Sequence, residues 1–137
     1  DPRINGSIAA DFSNYGKTHV DVFAPGVKMY STLPGTHTYG NQQGTSMSAP
    51  VVSGLAALIR SYYPELSAIQ VKKIIEQSVL VPDASVPSFK PGDKKSVVSF
   101  SDLSKSGGIV NAYNAVKLAE QYKVTTDIKK NTTKANR

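Results

Sequence analysis

Residues 44–50 read Gly-Thr-Ser-Met-Ser-Ala-Pro and continue directly into an apolar stretch from Val51 to Ile59. The pattern predicts a helix that begins near Ser46 and holds Pro50 in its first turn, where the N–H that proline lacks would be unpaired in any case. The unpaired N–H groups and the positive dipole end of such a helix would face negative charge developing near Ser46 Oγ, as acyl transfer requires. The stretch therefore puts one serine hydroxyl where a nucleophile is useful.

The same residues also have a simpler interpretation, in which Ser46 or Ser48 caps a core helix, because serine is common at helix starts. Taken alone, the local pattern leaves the nucleophile and the helix cap open. Sequence on either side of the stretch bears on this choice.

The stretch 44–50 resembles the serine signature of the subtilisin-like proteases, the subtilases, in which Gly-Thr-Ser-Met is followed by a small residue and proline. Other segments resemble patterns of that family in the same chain order: residues 12–16, 20–27, 30–35, 39–40, the predicted helix 67–78 after Pro64, and the closing segment 107–115. Together these likenesses cover most of residues 9–122.

The resemblance implies that Ser46 is the nucleophile and that Gly44, Thr45 and Met47 contact a polypeptide substrate, without any cofactor. In the family, the catalytic Asp and His lie upstream in D-(S/T)-G and H-G-T-H motifs, and neither motif occurs in this sequence. The family's oxyanion asparagine has no counterpart motif in residues 1–43 either. Because a serine hydroxyl needs a base to remove its proton, we expect the isolated chain to be inactive and its full-length parent to be a serine endopeptidase.

Two histidines echo part of the missing histidine motif, in Gly-Thr-His at 35–37 and in Thr-His-Val at 18–20. In both places the motif's first position, which is the catalytic one, holds a different residue. We therefore interpret His19 and His37 as ordinary surface or loop residues. Asp21, within a Val-Asp-Val segment, is interpreted as a structural carboxylate.

Secondary-structure signals indicate an α/β fold. Short apolar runs at 20–23 and 27–31 lie next to Pro-Gly turns and predict strands. Ser67 and Gln70 form a capping box at the start of a packing helix, and a one-sided apolar pattern predicts a closing helix over 111–122. With the resemblance, these elements imply the C-terminal part of a subtilisin-like three-layer fold with a mostly parallel sheet and packing helices.

The predicted domain organisation follows from these elements. We expect residues 1–122 to be the C-terminal part of a subtilase catalytic domain, with an inserted surface loop or hairpin at 81–106. Residues 123–137 have too little apolar content to fold alone and are predicted to be a basic tail or linker. The helix predicted over 51–63 is apolar on nearly all sides, which is typical of the middle of a larger protein. Its expected partner is the N-terminal remainder of the same domain.

The chain starts at Asp1 with no signal segment or initiating methionine, which indicates a sequence cut from a longer one. Its 137 residues carry a net charge of +6 that is concentrated near the end. Aromatic residues do not alternate with these basic ones, so nucleic-acid binding is not indicated. We expect no membrane-spanning segment and assign no metal site. Without cysteine the chain cannot form disulfides, and a secreted or cell-surface location rests on the resemblance alone.

Two functions of different classes remain open at this point. The parent is either an active serine endopeptidase or a pseudo-protease whose subtilase fold serves as a binding or surface module. The intact serine motif favours the endopeptidase. The sequence of the regions that hold the catalytic Asp and His would decide between them.

Overall fold

A computed structural model describes residues 7–122. The predicted tail 123–137 lies outside the described residues, as do residues 1–6. The elements follow in this order: β1 (Met29–Thr32), β2 (Tyr39–Gln42), α1 (Thr45–Tyr62), α2 (Ala68–Gln77), β3 (Ser88–Lys90), β4 (Asp93–Val98), a short 3-10 turn (Phe100–Asp102) and helix α3 over residues 112–122.

Helix α1 carries the serine motif and is the longest described element, with 18 residues. It begins at Thr45, and Pro50 lies inside it rather than in its first turn, so the predicted place of the proline was wrong. Proline has no N–H, so the Ser46 carbonyl one turn earlier receives no hydrogen bond from position 50. The turn that carries Ser46 therefore has one backbone hydrogen bond fewer than a regular helix.

Helix α2 begins with the predicted capping box, which is confirmed. Ser67 Oγ accepts a hydrogen bond from the Gln70 N–H at 3.3 Å, and Gln70 Oε1 accepts one from the Ser67 N–H at 2.9 Å. The two side chains thereby satisfy backbone donors that the first turn of a helix leaves unpaired. The helix then buries Val71, Ile74 and Ile75.

The main hydrophobic core lies between α1, α2 and α3. The predicted closing helix is present as α3, and the Asn111 side chain caps it by accepting from the Asn114 N–H at 2.9 Å. The buried members of this core come from all three helices and the turn before α2: Leu55, Ile59, Leu66, Val71, Ile74, Ile75, Ala115 and Ala119. One face of α1 is thus fixed by its neighbours in this chain.

The named strands form two antiparallel hairpins within residues 7–122, β1 with β2 and β3 with β4. The strand predicted at 27–31 is found two residues later, at Met29–Thr32. Lys28 has a positive φ of 53°, which extended backbone does not allow, so a strand cannot include it.

The other predicted strand, at 20–23, is not a regular strand. Its carbonyls at Val20 and Asp21 accept from the N–H groups of Lys105 and Ser106, and Phe23 forms a parallel bridge with Ile109. Regular pairing is interrupted at Gly107, whose φ is 71°. The parallel pairing in the described residues is therefore limited to two isolated bridges, Gly16 with Ser104 and Phe23 with Ile109.

The segment 81–106 contains the β3–β4 hairpin and packs closely on the beginning of the described chain. Phe100 is buried with Ala9 and Leu103 in a second core, and its ring lies 4.9 Å from that of Phe23, centroid to centroid. The Phe89 N–H also donates to Ser7 Oγ at 3.1 Å. The predicted hairpin is present, but its end belongs to a core and is not a solvated loop.

Candidate active site

Ser46 is the second residue of α1, and its side chain is exposed. The residue before the helix is Gly44, with φ 147° and ψ 163°, and no side chain caps the N-terminus. Neither Ser46 nor Ser48 is therefore the helix cap, so the simpler interpretation of the motif was wrong. The first turn also contains no acidic residue. Its positive dipole end is not neutralised by the helix's own side chains and remains available to a developing anion.

Two hydrogen bonds hold the first turn of α1 against residues 24–26. Ser48 Oγ donates to the Ala24 carbonyl at 3.0 Å, and the Gly44 N–H donates to the Gly26 carbonyl at 2.8 Å. Gly26 allows this approach because it has no side chain: a Cβ there would lie 2.8 Å from the Gly44 carbonyl oxygen and would collide with Ser48 Oγ. These two hydrogen bonds therefore fix the position of the helix start that carries Ser46.

The predicted substrate-contacting residues surround Ser46 in the structure. Gly44 precedes α1, Thr45 is exposed beside Ser46, and Met47 is half-buried. The Met47 sulfur lies 3.7 Å from where a Gly44 Cβ would be. The three residues adjoin the serine hydroxyl by chain position, and whether they contact a substrate stays a prediction.

Two hollows flank the first turn of α1, and Thr45 and Ser48 line both of them. The first, of about 270 Å³, has largely apolar walls that include Phe12, Phe23 and Phe100. The second, of about 290 Å³, is bordered by polar side chains of the 13–21 segment. Concave apolar surface of this kind is suited to a peptide side chain or to further polypeptide of the same protein.

Neither histidine pairs with the nucleophile. His19 is exposed and borders the second hollow, while His37 lies in the loop between β1 and β2 with a positive φ of 55°. Among residues 7–122, no hydrogen bond joins either imidazole to Ser46. A serine at a helix N-terminus without a base has the position of a nucleophile but lacks the group that activates it.

Asp21 takes part in a network of charges behind α1. Its carboxylate lies 2.9 Å from Lys72 Nζ and 3.7 Å from Lys105 Nζ, and both lysines also reach Glu76, at 3.5 and 3.1 Å. The hydrogen bond from Lys72 lowers the pKa of Asp21 below 3.8; partial burial opposes this shift, and the positive charges of both lysines add to it. The same partnership raises the pKa of Lys72. Asp21 has the environment of a structural carboxylate.

From Ser7 to Tyr122, no three His, Asp or Glu side chains come close enough together to hold a metal ion. Over the same residues, no helix has both the length and the hydropathy of a membrane span.

Ala24 and Gly26 are parts of the site that the serine motif does not predict. Their carbonyls accept the two hydrogen bonds that hold the start of α1. The available signal was the Ala-Pro-Gly at 24–26, which ends one of the segments that resemble the subtilases. A glycine next to a proline predicts only a turn, although here its missing side chain makes room for the helix.

Known protein sequences show a family likeness over most of the chain. A family model described as "Subtilase family" matches residues 4–124. Subtilisin DY from Bacillus licheniformis is 54% identical over 63 residues, which cover 46% of this chain and 22% of that protein. M-protease from Shouchella clausii is 42% identical over 69 residues, which cover 50% of this chain and 18% of that protein. The chain thus spans about a fifth of the length of these relatives.

Solved structures show the same fold. The A-subunit of the AB5 toxin from E. coli superposes with a TM-score of 0.60 and 25% identity over 77% of this chain and 29% of that one. The PatG macrocyclase in complex with peptide gives a TM-score of 0.61 and 27% identity over 79% of this chain and 32% of that one. An α/β fold of the same kind is therefore common to all three chains.

Proposed function

The chain belongs to the subtilase family, and on this premise we propose that its full-length protein is a serine endopeptidase with Ser46 as the nucleophile. One observation carries the proposal: the motif serine is exposed in the first turn of α1, and that turn contains no acidic residue of its own. A hydroxyl at this position can attack a carbonyl while the helix end stabilises the charge that develops on the carbonyl oxygen.

The reaction proceeds through an acyl-enzyme. A histidine outside residues 7–122 removes the Ser46 proton, Ser46 Oγ attacks the scissile carbonyl, and the Ser46 N–H helps to bind the oxyanion. The histidine then gives its proton to the leaving amine, and water releases the acyl group in the reverse sense. A carboxylate, also outside these residues, orients the histidine. The substrate is a polypeptide, in keeping with the subtilisins that this chain resembles.

Residues on both sides of Ser46 have roles in substrate binding. Gly44, Thr45 and Met47 adjoin the nucleophile, and the stretch 39–43 leads into it from β2. We assign this stretch, with Thr45 and Met47, to the side of the cleft that holds the leaving-group peptide. By the same likeness to subtilisins, the full-length protein acts outside the cell or at its surface.

The N-terminal remainder of the catalytic domain is the proposed partner of this chain. Its place is the outer face of α1, where exposed residues are mostly small and uncharged: Ser46, Pro50, Ser53, Gly54, Ala57, Leu58 and Ser61. A further hollow of about 400 Å³, with largely apolar walls, lies between α1, α2 and the 21–22 segment. A second protein layer that brings the missing His and Asp would cover this apolar surface.

Labelling with a fluorophosphonate probe tests the proposal, because the probe reacts with an activated serine and not with an ordinary one. We expect the full-length protein to be labelled stoichiometrically and to hydrolyse peptides. The Ser46→Ala variant should lose both, and Ser85→Ala, which removes an exposed serine outside α1, should lose neither. The chain 1–137 by itself should resist labelling.

Each failure has a distinct meaning. A folded full-length protein that is neither labelled nor active would overturn the proposal and favour the pseudo-protease, in which the fold is a binding or surface module. Fast labelling of the isolated chain would show a base within its own residues and contradict its expected inactivity.

A further inference from the structure

The segment 88–106 lies along the beginning of the described chain and contacts it at intervals over residues 7–23. Hydrogen bonds join the two segments at separate points: the Phe89 N–H donates to Ser7 Oγ at 3.1 Å, the Gly92 N–H to the Asp11 carbonyl at 2.9 Å, and the Gly16 N–H to the Leu103 carbonyl at 2.7 Å. Contacts spread over this length hold residues 7–23 against the segment 88–106.

Phe23 is held in both its backbone and its side chain. Its N–H donates to the Gly108 carbonyl at 3.0 Å, and its carbonyl accepts from the Val110 N–H at 2.9 Å. Its ring packs on that of Phe100, with centroids 4.9 Å apart and an angle of 52° between planes, which is a favourable aromatic arrangement. Phe100 is 4% exposed, and residues of this chain alone bury it. The contact therefore does not depend on what the remainder of the domain covers.

The residue after Phe23 holds the start of α1. The Ala24 carbonyl accepts from Ser48 Oγ at 3.0 Å. Pro25 follows, and a proline restricts the backbone of the residue before it as well as its own φ. A shift of the Phe23 backbone therefore moves the Ala24 carbonyl with it, because the torsions that would absorb the shift are restricted.

Ser46 lies in the same turn of α1 as Ser48, two residues earlier. Nucleophilic attack depends strongly on the position of the attacking atom, and a misplacement of about 1 Å costs on the order of 100-fold in rate. Contacts that fix the first turn of α1 therefore affect the reactivity of Ser46 even where they do not touch it.

We propose that Phe100 is a positioning residue for Ser46, acting through Phe23 and the Ala24 carbonyl on the first turn of α1. The inference rests on the proposed protease function and adds to it a residue of the segment 81–106, which lies outside the serine motif. Phe100 supplies no group to the reaction, but its ring keeps Phe23 in place. Removal of the ring leaves space into which Phe23 moves.

The test measures fluorophosphonate labelling and peptide hydrolysis by the full-length protein, at a temperature at which circular dichroism shows every variant to be folded. We expect Phe100→Ala to lower the labelling rate and kcat roughly tenfold and to change KM by less than about twofold, because a displaced nucleophile slows attack without altering the bound peptide. Phe100→Leu retains much of the packing volume and should lose only about two- to threefold. It replaces Phe100→Ala throughout if the alanine variant does not fold.

Leu66→Ala is the control that separates positioning from stability. Leu66 is 1% exposed and belongs to the main core, in the turn that follows the other end of α1 from Ser46. Its truncation should lower the unfolding midpoint about as much as Phe100→Ala, yet leave the labelling rate within about twofold of wild type.

A double-mutant cycle tests the route through Ala24. Ser48→Ala removes the hydrogen bond by which the Ala24 carbonyl holds α1. In that background we expect Phe100→Ala to slow labelling about threefold rather than tenfold, because the two substitutions interrupt the same series of contacts. Leu66→Ala should have the same small effect with and without the Ser48 hydroxyl.

A wild-type labelling rate in folded Phe100→Ala would overturn this inference and leave the protease function standing. Equal slowing by Leu66→Ala would overturn it too, since loss of stability would then explain the effect. Full multiplication of the Phe100→Ala and Ser48→Ala effects would overturn the route through Ala24, and with it the proposal as stated. A folded wild-type protein that is not labelled would overturn the protease function itself, and this inference with it.

Discussion

Ser48 Oγ donates a hydrogen bond to the Ala24 carbonyl at 3.0 Å and so connects the nucleophile's helix to a segment 24 residues earlier in the chain. The donor lies two residues after Ser46, in the same turn of α1. The acceptor, Ala24, follows Asp21 by three residues, and Asp21 forms ion pairs with Lys72 and Lys105. The helix start that carries Ser46 is therefore held by a hydrogen bond to a segment three residues after Asp21.

Removing this hydroxyl should loosen the helix start. We expect Ser48→Ala to destabilise the full-length protein by about 1 kcal/mol, because the substitution leaves the Ala24 carbonyl without its partner. Ser61→Ala is the matched control, since within residues 7–122 that hydroxyl donates to the Leu58 carbonyl of its own helix. Thermal unfolding of the two variants measures the difference, and equal midpoints would contradict the anchoring role.

Gly26 provides the space for the same contact. We expect Gly26→Ala to destabilise the protein by about 1–3 kcal/mol and to slow fluorophosphonate labelling of Ser46, because a Cβ must displace Ser48 or the Gly44 carbonyl. Gly92→Ala is the control. Its φ of 78° is strained for alanine, but a Cβ there would meet no other residue of the described chain within 4 Å. It should lose about 1 kcal/mol of stability and label at the normal rate. Normal labelling of Gly26→Ala would show that the close approach does not position Ser46.

The sequence predicted the helices better than the strands, for a physical reason. The Ser67–Gln70 capping box and the apolar stripe of α3 depend on residues close together in the chain, and both are present in the structure. The 20–23 segment depends instead on residues 105–110, and Gly107 interrupts that pairing. Propensity alone cannot show such a distant interruption.

The site was predictable only as far as a motif could show it. The motif identified Ser46 and its neighbours, because these residues are consecutive in the sequence. The Ala24 carbonyl and the Phe23–Phe100 packing were not predictable, since they arise from backbone position and from contacts between residues far apart in the chain. The place of Pro50 was mispredicted because local rules favour proline in a first turn, whereas here the helix starts earlier.

Phe100 tests whether the segment 81–106 is part of the fold. Its side chain is 4% exposed and packs on Phe23, so we expect Phe100→Ala to cost about 3–5 kcal/mol. Val97→Ala alters an exposed residue of the neighbouring strand and should stay within about 0.5 kcal/mol of wild type. Urea unfolding of both variants gives the comparison. A mild Phe100→Ala variant would restore the interpretation of a loop that contributes little to stability.

The charge network predicts a pH dependence at the acid end. Because Lys72 lowers the folded-state pKa of Asp21 below 3.8, the stabilisation is complete above the unfolded-state value and is lost as pH falls through the lower, folded-state value. The Asp21 side chain is 40% exposed, so solvent screens its charge and we expect Asp21→Asn to cost at most about 1 kcal/mol at pH 7, and less at high salt. The variant and wild type should converge as pH falls from about 4 through the folded-state pKa of Asp21.

Asp102→Asn provides the control for the network, since it removes a single exposed ion pair with Lys17. It should have less effect at pH 7 than Asp21→Asn, which loses contacts to two lysines. Unfolding midpoints measured across pH at low and high salt decide the question. A penalty for Asp21→Asn that persists unchanged below the folded-state pKa would show that packing, rather than charge, is what Asp21 contributes.

The outer face of α1 predicts how the isolated chain behaves. Leu58 is exposed there among small uncharged residues, and the proposed N-terminal remainder that would cover them is absent. We therefore expect residues 1–137 to self-associate in sedimentation experiments and to bind a hydrophobic dye. Leu58→Lys should reduce both, whereas Val97→Lys, on the distant β3–β4 hairpin, should reduce neither. A monomeric chain that binds no dye would mean that this face needs no cover, and would remove the packing argument for the proposed partner.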